Sequence, residues 1–290
     1  MPDPLREMAP AKVNLFLHVF GRRPDGRHTL ESLAVFPACG DVLEAEPASG
    51  TTLTLGGPFG QELGTGEDNL ALRAVTALAE MTGEPRGIAL HLDKRLPVAS
   101  GIGGGSSDAA AALRLAMRLW GVRPGEASLR ELAMDLGGDV PVCLAARAAL
   151  MGGIGERLQP APTLPDFWLV LVNPMRALST GAVFEALERR NNPPGPAAPH
   201  GFADTGALVS WLARQRNDLE APARRLMPAV GAVLGALRWL PDCRTARMSG
   251  SGATCFGLFD DAAAALDAAA ALRAREPGWW VAPARVPATA

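Results

Sequence analysis

"LPVASGIGGGSSDAAAALRLAM", residues 96–117, sets Gly101, Gly103, Gly104 and Gly105 within five positions. Ser106, Ser107 and Asp108 come next, and then a run of helix formers. So few side chains leave room for something to approach the backbone. A P-loop requires Lys and then Ser or Thr directly after its last glycine, and Ser106-Ser107-Asp108 does not supply them. A dinucleotide fingerprint is matched by Gly101 and Gly103, but its third glycine is replaced by Ser106. What remains is a glycine loop opening a helix over about 106–120, stopped by Gly121, with Ser-Ser-Asp as its first turn. Free N–H groups and the positive end of that helix suit an anion such as phosphate. The alternative is a tight turn in which Ser106 or Ser107 only caps the helix.

Around this stretch the chain reads as an α/β or α+β protein. Residues 11–20, "AKVNLFLHVF", alternate: Val13, Leu15, Leu17 and Val19 share one face, and Lys12, Asn14, Phe16 and His18 the other. The second face is expected to point away from the core. A Pro-Asp-Gly turn (24–26) follows. Strand-like stretches recur near 41–47, 51–55 and 87–94, with an amphipathic helix over 69–82 capped by Asp68. "SLRE" (128–131) reads as a capping box starting a third helix that ends at Gly137-Gly138. "LQPAPTLPD" (158–166) is the expected boundary, giving domains 1–160 and 161–290. Beyond it the order is strand, helices, strand, strand, helix, strand, the split ferredoxin-like order with helices inserted. "NNPPGPAAPHG" (191–201) is a proline-rich loop expected to be mobile.

Composition bounds the function. The 290 residues are 48% hydrophobic, enough for two cores, and the net charge is −2. No long basic tract offsets the acids, which argues against nucleic acid. Cys39, Cys143, Cys243 and Cys255 show no CxxC spacing and are expected as reduced thiols. No apolar signal core or membrane-length stretch is present, so a cytoplasmic location is expected. No metal-ligand spacing stands out, and oligomeric state is not legible.

Several other residues draw attention, each with a plain structural alternative. Lys12 and Asn14 point the same way from one strand, which is also what a solvated edge strand would show. Asp139, in "LGGDVP", stands where a short helix begins with Pro141 in its first turn, so it is an N-cap or a site carboxylate. His28 follows the first turn and would ordinarily be an exposed histidine. Gly250-Ser251-Gly252, in "RMSGSGATC", joins two strands, as a hairpin loop would.

Their order is more informative than any one of them. "APAKVNLFLHVFGRRPDGRHTL" (9–30), "LPVASGIGGGSSDAAAAL" (96–113), "LGGDVPV" (136–142) and "MSGSGATCFGLF" (248–259) together resemble the signature regions of the GHMP small-molecule kinases. The resemblance implies an α+β, two-domain fold, ribosomal-protein-S5-like in its N-terminal half and ferredoxin-like in its C-terminal half. It implies transfer of the γ-phosphate of ATP, with Mg²⁺ as the nucleotide's partner and Ser107 as a candidate ligand. PAKxNLxL, PDGxHTL and GGGSSDAA resemble the branch whose acceptor is the 2-hydroxyl of a cytidine-diphosphate-linked methylerythritol. A homoserine- or mevalonate-type kinase, or a silent sensor on the same fold, are the rival readings.

By the same resemblance, Pro97, Val98, Ala99, Ser100, Gly101, Ile102, Gly103, Gly104, Gly105, Ser106 and Ser107 wrap the ATP phosphates. Asp139 matches the catalytic base and Lys12 the cation beside it. Asn14, His28, Phe184, Gly250, Ser251 and Gly252 match substrate-holding positions, His28 towards the cytosine. Where the family often has a stacking tyrosine, this chain has Arg27, and it contains no tyrosine at all. A guanidinium also stacks on a base.

Overall fold

The computed structural model describes residues 3–24, 26–66 and 68–289. The expected Pro-Asp-Gly turn centres on Asp25, which lies outside the described residues. In chain order the elements begin with β1 (Leu5–Pro10), β2 (Val13–Arg22), β3 (His28–Val35), β4 (Gly40–Ala48), β5 (Thr52–Gly56), α1 (Leu70–Thr82) and β6 (Gly87–Asp93). Next come α2 (Gly104–Trp120), α3 (Glu126–Leu136), α4 (Val140–Ala145), β7 (Ala149–Gly152), β8 (Arg157–Pro160) and β9 (Phe167–Asn173). The chain continues through α5 (Thr180–Glu185), α6 (Thr205–Leu212), α7 (Glu220–Leu226) and α8 (Pro228–Arg238). It ends with β10 (Thr245–Met248), β11 (Cys255–Phe259), α9 (Ala262–Arg275) and β12 (Trp280–Val286).

Two compact units share the chain. One comprises Met1–Ala11, Gly40–Val98 and Gly103–Ala146; the other Lys12–Cys39, Ala99–Ile102 and Arg147–Ala290. Compact units and the linear division at 160/161 are therefore different partitions of the chain.

In the first unit, β1, β4, β6 and β5 form a sheet in that order, antiparallel except for β5 beside β6. Leu43, Leu53, Leu90 and Leu92 of the sheet and Val75, Leu78, Leu113 and Leu115 of α1 and α2 make one apolar core. The helix α1 is capped by Asn69, whose side chain accepts from the Ala71 N–H at 3.0 Å. Asp68 is one residue too early for that geometry, so the expected cap is corrected by one position. The box "SLRE" does not start α3, because Gly125 takes the N-cap position and Ser128 is already in the first turn. An i,i+4 pair from Glu126 to Arg130 at 2.8 Å spans that turn.

In the second unit, β2-β3-β7-β8 form one antiparallel sheet and β10-β11-β9-β12 another. The latter order is the split βαβ arrangement expected from sequence. Leu17, Val19, Val170, Val172, Val233, Leu237, Phe259 and Leu272 belong to its core. Among the described residues, β2 departs most from its expected reading. Lys12, Asn14, Phe16 and His18 are as buried as the apolar face, each at 4% exposure or less. Register shifts between Asn14 and Leu17 and between Val19 and Gly21 interrupt the alternation. The proline-rich loop is tied down at two points, Gln215 Nε2 donating to the Pro196 carbonyl and Trp211 Nε1 to that of Ala197. All four cysteines are free thiols.

Candidate active site

The glycine stretch passes from one unit to the other. Ala99–Ile102 belongs to the second unit, and Pro97, Val98 and the residues from Gly103 to the first. In the second unit this loop packs backbone to backbone against the 250–252 loop. A Cβ on Gly101 (φ +75°) would lie 2.2 Å from the Gly252 carbonyl oxygen, and one on Gly250 would lie 2.9 Å from that of Gly101. Thr254 N–H donates to the Ser100 carbonyl, and Ser249 Oγ to that of Gly101. Asn217 Nδ2 holds the other side of the 250–252 loop through the carbonyls of Met248 and Gly250. Ser251 shares a 2.8 Å hydrogen bond with Thr180. Gly101 is therefore required by loop packing, independent of any ligand.

In the first unit, α2 begins at Gly104, two residues before the expected start, with Gly103 (φ +65°) at the N-cap. Neither serine caps the helix. Its first turn is Gly104-Gly105-Ser106, so glycine N–H groups stand at the positive end. Gly105 is exposed, and a Cβ there would meet only Leu70 at 3.5 Å. Ser107 is fully buried, its hydroxyl donating to the Pro10 carbonyl at 2.7 Å. It is a packing and anchoring residue, and the expected role as a metal ligand does not fit.

Behind the first turn of α2 lies a buried ion cluster that the sequence reading missed. Lys94 Nζ is 2.5 Å from Asp41 Oδ2 and 2.7 Å from Asp108 Oδ2. Asp41 Oδ1 also accepts the N–H groups of Arg95 and Leu96, fixing the chain where it leaves β6 for the glycine loop. Burial pushes the Asp108 carboxyl up to about 7, against the pull of Lys94 and with the help of Asp41. Burial opposes the Lys94 charge, but the two carboxylates outweigh it and hold the ammonium above its ordinary value. The available signal was a lysine and two aspartates on adjoining elements, which also fits a solvated surface.

Lys12 projects from the start of β2, its backbone N–H held by the Ile102 carbonyl at 2.8 Å. Its Nζ donates to Asn14 Oδ1 at 2.7 Å. Asn14 Nδ2 donates to Ser32 Oγ, which donates in turn to the Phe16 carbonyl, both at 2.6 Å. Asn14, expected to hold substrate, is thus also hydrogen-bonded to Lys12. Asp139 occupies the N-cap position of α4, but its side chain does not cap the helix. It is half-buried, in the first unit, whereas Lys12 is in the second.

His28 opens β3 and stacks on Phe184 of α5, with ring centroids 4.9 Å apart and planes 20° from parallel. The pair borders a cavity of about 410 Å³ that Arg22, Arg27, Gly181, Glu185 and Arg190 also line. All of these belong to the second unit. His28 is thus half-buried and in contact, unlike an ordinary turn histidine. Burial, then the charges of Arg190 and Arg22, hold its ring below the usual histidine value despite a hydrogen bond at Gly21. Among the described residues no three His, Cys, Asp or Glu side chains gather as a metal site, and no helix is long and apolar enough to cross a membrane.

Comparison with known proteins gives the site a context. Residues 69–147 match the GHMP kinases N terminal domain, and residues 184–278 the GHMP kinases C terminal region. A 4-diphosphocytidyl-2-C-methyl-D-erythritol kinase of Paramagnetospirillum magneticum is 53% identical over 280 residues, covering 96% of this chain and 97% of that one. A protein of the same name from Rhodospirillum rubrum is 49% identical over 278 residues, covering 96% and 91%. The crystal structure of a 4-(cytidine 5'-diphospho)-2C-methyl-D-erythritol kinase superposes with a TM-score of 0.78 at 38% identity, covering 97% and 99%. A homoserine kinase from Cytophaga hutchinsonii shares the fold at a TM-score of 0.70 and 18% identity, covering 99% and 96%.

Proposed function

Because the chain belongs to the GHMP kinases, we propose that it transfers the γ-phosphoryl group of ATP to the 2-hydroxyl of 4-diphosphocytidyl-2-C-methyl-D-erythritol. The observation that carries the choice of acceptor is the His28–Phe184 stack beside a cavity of about 410 Å³. Two parallel rings edged by guanidiniums suit a flat, polar base, whereas a homoserine or a mevalonate offers nothing to stack. The names of the relatives described above point the same way.

The division of labour follows from the chemistry. The N–H groups of Gly104 and Gly105, at the positive end of α2, receive the triphosphate. Lys12, held by Asn14, neutralises charge on the group in flight. The acceptor oxygen forms its bond to the γ-phosphorus as the bond to the bridging oxygen breaks and ADP leaves with that electron pair. Asp139 takes the hydroxyl proton. Phosphoryl transfer of this kind asks mainly for positioning and charge stabilisation, and a tertiary alcohol, hindered and weakly acidic, depends on an oriented acceptor for its proton. Arg27 covers the base on its open side in place of an aromatic ring. Mg²⁺ would arrive with the nucleotide; with Ser107 buried, no protein ligand is assigned to it and no step is derived through it.

The test is ATP consumption by the purified chain with the cytidylated alcohol, homoserine, mevalonate or no acceptor. Turnover with the cytidylated alcohol alone is expected. Turnover with homoserine or mevalonate would move the chain to another branch, and no turnover with any acceptor would favour a silent sensor.

A further inference from the structure

The cavity beside His28 and Phe184 is more cationic than a neutral base requires. Arg22, Arg27 and Arg190 line it against a single carboxylate, Glu185, in a chain whose net charge is −2. Arg190 is exposed, and its hydrogen bond, from Nη2 to the Glu185 carbonyl at 3.5 Å, is at the weak limit. Among the described residues it forms no salt bridge. Glu188, the acid nearest to it in sequence, pairs with Arg225 instead. Arg22 has its Nε on the Gly26 carbonyl at 2.9 Å, which fixes the guanidinium at the same rim. The charges of Arg190 and Arg22 both reach the His28 ring.

We infer that Arg190, with Arg22 beside it, is the anion-binding half of this pocket, taking the diphosphate of the substrate and setting a preference for a nucleoside diphosphate over the bare nucleoside. The inference rests on the pocket being the base site of the proposed reaction. A cytidine diphosphate presents a flat base and, one ribose away, a group carrying two negative charges. The stacked rings answer the first part, and nothing in the stack answers the second. A guanidinium fork matches phosphate oxygens in pairs, and an exposed arginine without a carboxylate partner gives up little to make those bonds. Selectivity then arises as a difference in affinity between ligands that share the base and differ in the anion.

The experiment is calorimetric titration of CDP and of cytidine into the intact chain, with the ATP site saturated by a non-hydrolysable ATP analogue. The wild type is expected to bind CDP tighter than cytidine by about tenfold or more, the usual worth of hydrogen bonds to a charged group. Arg190→Gln is expected to remove most of that ratio while leaving cytidine affinity unchanged; Arg190→Lys restores part of it, and Arg22→Gln lowers it further. An unchanged ratio in a folded Arg190→Gln variant overturns the inference. Equal binding of CDP and cytidine by the wild type also overturns it but leaves the base site standing. Binding of neither ligand removes the base site itself, and the inference with it.

Discussion

Lys12 Nζ, from the residue just before β2, donates at 2.7 Å to Oδ1 of Asn14, two residues on and within that strand, and both side chains are buried. A buried ammonium needs a fixed acceptor, and Asn14 in turn is fixed by Ser32. Asn14→Ala removes that acceptor from Lys12 and a donor from Ser32. The expected result is a loss of about 1–3 kcal/mol of stability and a fall in kcat, with the KM of the acceptor little changed. A rise in acceptor KM with kcat intact would show that Asn14 holds substrate directly.

The glycines separate into structural and ligand-facing positions. Gly101→Ala places a methyl 2.2 Å from the Gly252 carbonyl, in a left-handed backbone conformation, so the variant should lose thermal stability before any assay of ATP. Gly104→Val would press on Lys94, whose Nζ lies 3.1 Å from the added Cβ. Gly105→Val meets open space and one flexible leucine, so Tm should hold while ATP KM rises, by about tenfold for one lost charge-assisted contact. Unchanged ATP affinity in folded Gly105→Val would leave the stretch as a turn and no more.

The His28 ring is held below its usual value by burial and by two arginine charges, so it is neutral through the neutral range. His28→Ala should raise the KM of the cytidylated substrate more than that of ATP. In the wild type the substrate KM should be flat above the ordinary histidine range and rise in acid as the ring takes up a proton. Uridine analogues should be rejected, because exchanged donors and acceptors leave polar groups unpaired. Equal turnover of cytidine and uridine substrates would contradict the assignment.

The Lys94–Asp108 pair gives a pH signature. The folded carboxyl of Asp108, at about 7, lies above its value in the unfolded chain. Protons therefore bind the folded state more readily, and the stabilisation this brings is full at low pH and lost as pH rises through about 7. Between about pH 8 and about pH 5 the wild type should gain in Tm relative to Asp108→Asn. A difference in Tm that does not move with pH would mean that Asp108 stays ionised throughout.

Much of the fold was legible where one local rule decided it. The ferredoxin-like order followed from apolar strands and an alanine-rich helix, and Gly121 ended α2 as expected. The strand β2 was legible as a strand but not in its surroundings. Alternation reports which residues share a face, and only tertiary packing decides whether the polar face meets water. For the same reason Lys94, Asp41 and Asp108, which lie 53 and 14 residues apart in pairs, gave no joint signal. Helix caps slipped by one residue at α1, where Asn69 competes with Asp68, and by three at α3, where Gly125 caps ahead of Ser128. Of the candidate site, the motif residues were named by resemblance. The cationic rim of Arg22 and Arg190 was not, because single arginines at the end of β2 and beyond α5 carry no shared pattern.

Asp139 is tested most directly by kcat and Tm of Asp139→Asn with the cytidylated alcohol and ATP. The amide keeps the shape of the side chain, which does not cap α4, and Tm should stay nearly unchanged. The loss of a proton acceptor should lower kcat by about 10²–10⁴. Lys12→Met should lower kcat as well, and under the proposed division of labour the double variant should lose less than the sum of the two. A folded Asp139→Asn variant turning over at the wild-type rate, or one that unfolds while its folded fraction works normally, would contradict the assignment of Asp139 as the base.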